Sequence, residues 1–482
     1  MKIARFVESR HLLVLLVSIG LLERILWNVL RPGLGASGEA MRVALAVGSG
    51  RGIADAYRLG QGPTAHLLPI SPGFAGLIYR LLGVGSMPAE IVLATWSIGL
   101  AMATYLVLFR TFERLGTPRW ARIAGLAFAC IAPTYLGQEA VDFRVWDGGL
   151  AACLAALFLS LLTAALEERE LGLRQSALRS TRRGAAAAVC ALALFVNPPL
   201  GAALMLCAGV FAWRELSIRE SALPAAVAAG VLAALVTPWT LRNERVLHAT
   251  IPFRSDAGLE LALANYSTAL DSTDRRQQFL NRLQTIHPSF NRTAYRSVKA
   301  EGELAYSRRV GARAARWMEG HPAEAAGLIL LHMRQSLAPQ AWQFDVFGKR
   351  LSPPLRAALA DLAGVCGLIA LALAVAARRS GWGYLALLIG SWVALTSPFQ
   401  PVPRYTYLVY PFLVFCGADL LAQGRAALAR ARALRSRQPD RRDRSPARSV
   451  REAQPSTVRL DDLSAEGKPE ACARGLGREE RQ

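Results

Sequence analysis

The sequence predicts an all-α polytopic membrane protein, a bundle of about ten transmembrane helices with a range of nine to twelve and loops on the extracytoplasmic side. Three observations predict it. The 482 residues are 53% hydrophobic and only 19% charged, at a mean hydropathy of +0.27. Long apolar runs recur too often for a chain of soluble domains. The 56 Lys plus Arg, against 35 Asp plus Glu for a formal charge of +21, gather between those runs and in the tail, as the positive-inside tendency arranges them. A soluble chain this basic would suggest nucleic acid. Here no zinc-ligand array or aromatic-rich basic face accompanies the charge, and no nucleic-acid partner is expected.

The N-terminal MKIARFVESRHLLVLLVSIGLLERILWNVL has a basic start and an apolar run with no small-residue cleavage signal behind it, so it is expected to be retained as the first span. The spans expected are 12–30, 89–109, 121–136, 148–166, 185–199, 200–213, 222–240, 356–377, 382–397 and 407–423. Arg110 to Arg122, Arg169 to Arg183, Arg214 with Arg219, and Arg378 with Arg379 all fall on one side of this topology. That side is read as cytoplasmic and takes both termini. Leu67–Leu82 and Ala325–Leu337 are shorter, are interrupted by Pro or Arg, and read as interfacial helices. The chain thus divides into an N-terminal transmembrane module, 1–240, with functional outer loops, and an extracytoplasmic cap with membrane-associated helices, 241–355. C-terminal transmembrane helices follow over 356–424, then a basic, disordered cytoplasmic tail, 425–482. The seven cysteines form no CxxC pair and read as small buried hydrophobes, implying neither a metal cage nor a disulfide framework.

Chemistry should sit at the helix mouths on the outer side. Glu39 stands just beyond the first span, where a carboxylate can orient and deprotonate an acceptor hydroxyl or hold a divalent cation. In the second outer loop Glu139, Asp142, Arg144 and Asp147 crowd before an apolar helix. Asp147 there is either a helix N-cap or, with Arg144, part of a site. Arg404, in LTSPFQPVPRYTYLVYPFL, lies before the last span, where a guanidinium can grip phosphate. Tyr405 beside it fits either that role or an interfacial aromatic belt. His66 is a further loop candidate.

Read as a whole, residues 10–425 resemble the membrane glycosyltransferases that use polyprenyl-phosphate-linked sugars, the protein mannosyltransferase and aminoarabinose transferase superfamily with its GT-C fold, in their bacterial branch. The first outer loop carries the likeness in Gly38–Glu39, the Ala-rich Met41–Val47, the glycine turn Gly48–Gly52 and LLPISPGFAGLIYRLLG. Gly38 stands where the family pattern has a leading Asp. TPWTLRNERVLHATIPFRSDAGLELALAN and EGHPAEAAGLILLHMRQSLAP carry the rest, including an Arg242–Asn243 corner and Arg254–Ser255. The resemblance implies transfer of a sugar from a polyprenyl-phosphate donor to an unidentified glycan, lipid or protein acceptor, at the outer face of a bacterial cytoplasmic membrane and among its lipids. It places Glu39 and Asp147 in catalysis and Arg404 and Tyr405 on the donor phosphate, with Arg242, Asn243 and Arg254 in the substrate loop. A divalent cation is compatible with it. A lipid or polyisoprenoid transporter and an inactive scaffold of the same fold are the alternatives.

Overall fold

The structure is a computed structural model and describes residues 10–30, 36–171, 177–270, 273–345 and 352–437. Among these residues the chain is all α-helical, and backbone pairing of the sheet kind is limited to an isolated bridge between Ala54 and Pro63. The described residues up to Leu428 form one compact unit; beyond it, from Ala429, the described residues are helical as far as Arg437. The expected disordered tail, like Cys472, otherwise lies outside the described residues.

Helices fall at all ten expected spans: α1 (Arg10–Leu30), α4 (Met87–Arg114), α5 (Arg119–Ile131), α7 (Gly148–Glu170), α8 (Ala177–Val196), α9 (Pro198–Glu215), α10 (Ile218–Leu247), α17 (Pro353–Ala376), α18 (Trp382–Thr396) and α20 (Tyr410–Arg437). Six of them, α1, α4, α7, α10, α17 and α20, are long and apolar enough to cross a membrane. This corrects the expected count of about ten and leaves a multi-pass protein with fewer full-length spans. The cause is length and end charge. At 1.5 Å per residue α5 and α18 reach only about 20 Å, short of a ~30 Å hydrocarbon core. The first turns of α8 and the last turn of α9 carry Arg179, Arg182, Arg183, Arg214 and Glu215.

Local signals explain the boundaries. Ser86 caps α4 by accepting from the Ala89 amide at 3.3 Å, with Pro88 in the first turn, and Asn197 caps α9 ahead of Pro198 and Pro199. Ser217 and Glu220 form a reciprocal capping box at the start of α10. Inside the bundle α4 packs on α7, α7 on α8, α8 on α10 and α9 on α18. Arg24 of α1 is fully buried. It donates to Glu139 at 2.8 and 2.5 Å and to the carbonyls of Gly20, Cys130 and Ala129, while Tyr105 donates to the same carboxylate. A buried charge pair is tolerated only with its remaining donors and acceptors satisfied, as here, so this cluster locks α1, α4 and the second outer loop together.

At the opposite end from the arginine-rich connections lie the remaining short helices. They are α2 (Glu39–Gly48), α3 (Ile70–Leu82), α6 (Leu136–Ala140), a 3-10 turn at Asp142–Arg144, and α11 (Ala257–Ala264) to α16 (Ala341–Asp345). Within that last stretch come α12 (Arg275–Ile286), α13 (Arg292–Glu301), α14 (Glu303–Gly320) and α15 (Pro322–Leu337); α19 (Pro403–Thr406) precedes α20. Leu259, Leu263, Phe279, Leu283, Val298, Tyr306 and Val310 make a small core of their own, joined by Tyr57 from the first outer loop. Close approach of α11 to α14 depends on Gly258 and Gly311: a Cβ on Gly258 would meet the Ser307 carbonyl oxygen at 2.2 Å. Glu303 ties this cap to the first loop, accepting from the Ala65 amide at 2.5 Å, Thr64 at 2.6 Å and Ser255 at 2.9 Å.

Candidate functional site

Glu39 opens α2, and the backbone before it bends sharply. Gly38 has φ +86° and ψ −162°, a conformation essentially confined to glycine, and a Cβ there would meet Trp146 Cζ2 at 3.1 Å. The turn directs the carboxylate into a cavity of about 350 Å³. Oε1 of Glu39 accepts from Ser289 Oγ at 2.9 Å and Arg42 Nη2 at 3.1 Å. No side chain of another described residue donates to Oε2, and the carboxylate also takes a hydrogen bond from the Glu39 amide. His287 Nδ1 accepts from the Ser289 amide at 3.2 Å, which leaves the proton of a neutral ring on Nε2, 3.8 Å from Glu39 Oε1.

Burial would raise the Glu39 pKa, but the fields of His287, Arg42 and His66 outweigh it and hold the carboxyl at about 2. His66 goes the other way: burial outweighs the Asp256 and Glu39 carboxylates and brings the imidazole down to about 4. Burial likewise lowers His287, so near neutral pH both rings are uncharged.

Facing α2 across the cavity, α19 presents Arg404. Its guanidinium stacks over Trp146 at 4.2 Å and Tyr405 at 4.8 Å, and touches the Tyr405 hydroxyl at 3.4 Å. Its Nε is buried without a hydrogen-bond partner, and among the described residues it makes no ion pair. Burial disfavours its charge, yet Tyr405, Glu260 and Glu39 more than restore it.

A second cavity of about 230 Å³ adjoins the first and is lined mainly by apolar groups, among them Pro198, Pro199, Phe253, Trp392, Phe399 and Leu408. Arg254, Glu260, Gln400 and Tyr405 line both. Arg254 donates to the His66 carbonyl at 3.0 Å and to Asp256 at 2.5 Å. The Glu260 carboxyl makes no hydrogen bond or ion pair among the described residues. Burial, with the Asp256 carboxylate next, raises it to about 7 against the pull of Arg404 and Arg254.

Five of the residues singled out in the sequence therefore meet at these cavities: Glu39, His66, Arg254, Arg404 and Tyr405. Four do not. Arg144 is consumed by Glu90 at 2.6 Å and Asn28 at 2.5 Å. Arg242 holds the Thr64 and Ile53 carbonyls, and Asn243 the Ile251 carbonyl, fixing the two outer loops to each other. Asp147 borders only a small void behind Trp146. It makes no side-chain cap on α7 and accepts from Asn197 at 3.0 Å. Arg42, Glu260, His287 and Ser289 were not singled out. For Glu260 a signal was present: it is the sole charged residue of the apolar helix AGLELALA.

The donor set does not fit a divalent cation. No three His, Cys, Asp or Glu side chains converge among the described residues, Gly38 brings no carboxylate beside Glu39, and the Arg42 guanidinium already occupies Oε1. Restoring a carboxylate there is not expected to help. Gly38→Asp should destabilise the chain by roughly 1 to 3 kcal/mol through backbone strain and displace Trp146. A lower thermal midpoint in detergent, with a shifted tryptophan emission, checks this.

No known family model matches the chain, and no curated protein sequence does. Among solved structures it shares its fold with the archaeal oligosaccharyltransferase AglB from Archaeoglobus fulgidus, solved with an inhibitory peptide and a dolichol-phosphate. The TM-score is 0.50 at 14% identity, over 89% of this chain and 52% of that one. The chain thus spans about half the length of that enzyme. ArnT from Cupriavidus metallidurans bound to undecaprenyl phosphate aligns with 89% of this chain and 81% of its own, at 15% identity and a TM-score of 0.35.

Proposed function

We propose that the protein transfers a sugar from a polyprenyl-phosphate-linked donor to a glycan, lipid or protein acceptor at the outer face of a bacterial cytoplasmic membrane, with both termini cytoplasmic. The observation that carries this reading is the guanidinium of Arg404, which makes no ion pair among the described residues and stands beside the junction of an apolar and a polar cavity. Such a donor has three parts with three solvation needs. Its isoprenoid needs an apolar groove, its phosphate a desolvated cation, and its sugar a chamber of hydrogen-bonding groups. The dolichol-phosphate held by the oligosaccharyltransferase of like fold supports the same donor class.

In this reading the phosphate sits against Arg404, Arg254 and the Tyr405 hydroxyl, with the anomeric carbon toward Glu39. Glu39 stays ionised, its Oε1 fixed by Arg42 and Ser289, and the open Oε2 accepts the acceptor hydroxyl and aims its oxygen at that carbon. A carboxylate held at about 2 is a weak base. It therefore takes the proton late, as the new bond makes the acceptor oxygen acidic. The phosphate leaves with the electron pair of the broken carbon–oxygen bond, and Arg404 meets the growing charge. Asp147 supports this arrangement from behind, through Asn197 at the edge of the apolar cavity.

Purified full-length protein in lipid nanodiscs, given polyprenyl-phosphate sugars labelled in the sugar, should release free polyprenyl phosphate and pass the label to a membrane-extract acceptor. No release from a panel of hexosyl and pentosyl donors would sink the reading.

A further inference from the structure

Glu260 is the residue that the transfer scheme above leaves without a task, and its position is unlike that of any other carboxyl in the site. It lines both cavities, yet its carboxyl has no hydrogen bond or ion pair among the described residues. Around it stand Arg254 and Asp256 from its own segment, Arg404 and Tyr405 from α19, Glu39 from α2 and Tyr57 from the first loop. The donor's phosphodiester, drawn to Arg404 and Arg254, brings one negative charge into the field of this carboxyl, and the lipid monophosphate that leaves carries up to two. Two like charges that close in a dry site cannot both persist, and the carboxyl is the one free to take a proton. Glu39 is not: Arg42 and Ser289 hold its Oε1.

We infer that Glu260 takes up a proton as the donor phosphate binds and passes it to the phosphate oxygen as the bond to the sugar breaks. The inference rests on the donor reading above and gives the site a general acid. The step balances: the acceptor oxygen forms its bond to the anomeric carbon and loses its proton to Glu39. The electron pair of the broken bond goes to the phosphate oxygen, which receives the Glu260 proton. Afterwards Glu39 releases its proton to water and Glu260 regains one when the next donor binds. Two carboxyls with their proton affinities pushed apart, one ionised and one near 7, suit the base and acid roles.

Binding of a long-chain polyprenyl monophosphate to the nanodisc protein tests this, by calorimetry in two buffers of different ionisation enthalpy. Free Glu260 is protonated below about 7 and ionised above, while bound Glu260 stays protonated. Wild type should therefore take up close to one proton above neutral pH and lose affinity about tenfold per pH unit there, leaving only the phosphate's own titration near ~6 below that. Glu260→Gln imitates the protonated form. It should bind without proton uptake above neutral pH, keeping only the phosphate's own titration near ~6, and show a flat affinity where wild type weakens. Its transfer rate should fall on the order of 100-fold with donor binding intact, and Glu260→Asp should recover part of that rate. Binding without proton uptake, or a Glu260→Gln protein that titrates like wild type, overturns the role of Glu260 alone. No binding of the lipid phosphate at any pH overturns the donor reading and this inference with it.

Discussion

Replacing Arg404 by alanine is expected to lower turnover of a polyprenyl-phosphate sugar about 1,000-fold, roughly 4 kcal/mol of transition-state stabilisation, and to leave the fold in place. The size follows from where the charge sits. Arg404 stacks on Trp146 and Tyr405, is half-buried with its Nε out of contact with water, and makes no ion pair with a carboxylate among the described residues. A phosphate that leaves a sugar gains negative charge during bond breaking, so a desolvated cation binds the transition state more tightly than the bound donor. The fall should therefore appear mainly in kcat, with a smaller rise in KM. Arg404→Lys keeps the charge but loses the planar fork and the stacking on Trp146, so activity should lie between wild type and alanine. Stability should change by only about 2 kcal/mol, the worth of a desolvated cation–π contact, because Arg404 makes no ion pair among the described residues that its loss would break. Donor turnover and the thermal midpoint, measured on the same preparations, separate these effects. Unchanged turnover in Arg404→Ala would remove the phosphate clamp from the scheme.

Much of the scaffold was legible because lipid imposes a simple rule: uninterrupted apolar runs become helices, and Pro, Asn, Ser and Gly mark their ends. All ten expected spans coincide with helices, and α3 starts after Pro69 and ends at Gly83 as its flanking residues suggest. What the runs did not encode was reach. The residues of α5 and α18 are as apolar as their neighbours, but capping and turns cut those helices to 13 and 15 residues. Site residues divided along a similar line. Glu39 and Arg404 were visible because each is a lone charge at a helix mouth. Arg144 looked equivalent, and only distant partners, Glu90 and Asn28, turn it into a structural tie. His287 and Ser289 reach Glu39 across about 250 positions of chain. Nothing local to HPSFNRT announces that, since a long-range contact is set by how the cap packs on the first loop.

Glu39→Gln is the second large effect, expected to lower kcat by 10² to 10⁴-fold, the range for loss of a positioned proton acceptor. Glutamine retains the size of the side chain and can still accept from Ser289 and Arg42, so the loop should hold its shape and donor binding should persist. What disappears is the anionic Oε2 that orients the acceptor hydroxyl. The loss should therefore fall on transfer to the acceptor, while affinity for the lipid phosphate alone stays within about threefold of wild type. The pH profile adds a check. A group held at about 2 does not titrate in the working range, so a fall of the wild-type rate as pH rises above about 7 cannot belong to Glu39. That alkaline limb, loss of the acid's proton, belongs to Glu260 in this scheme, and the surviving activity of Glu39→Gln should keep it. Asp147→Asn supplies the contrast. It lies outside the polar cavity with its carboxylate against Asn197, and an amide there can still make one hydrogen bond to that neighbour. Its effect on kcat should stay below about tenfold. A reversal, with Asp147→Asn inactive and Glu39→Gln active, would move the acceptor to the other side of Trp146 and make Asp147 the group that aims it.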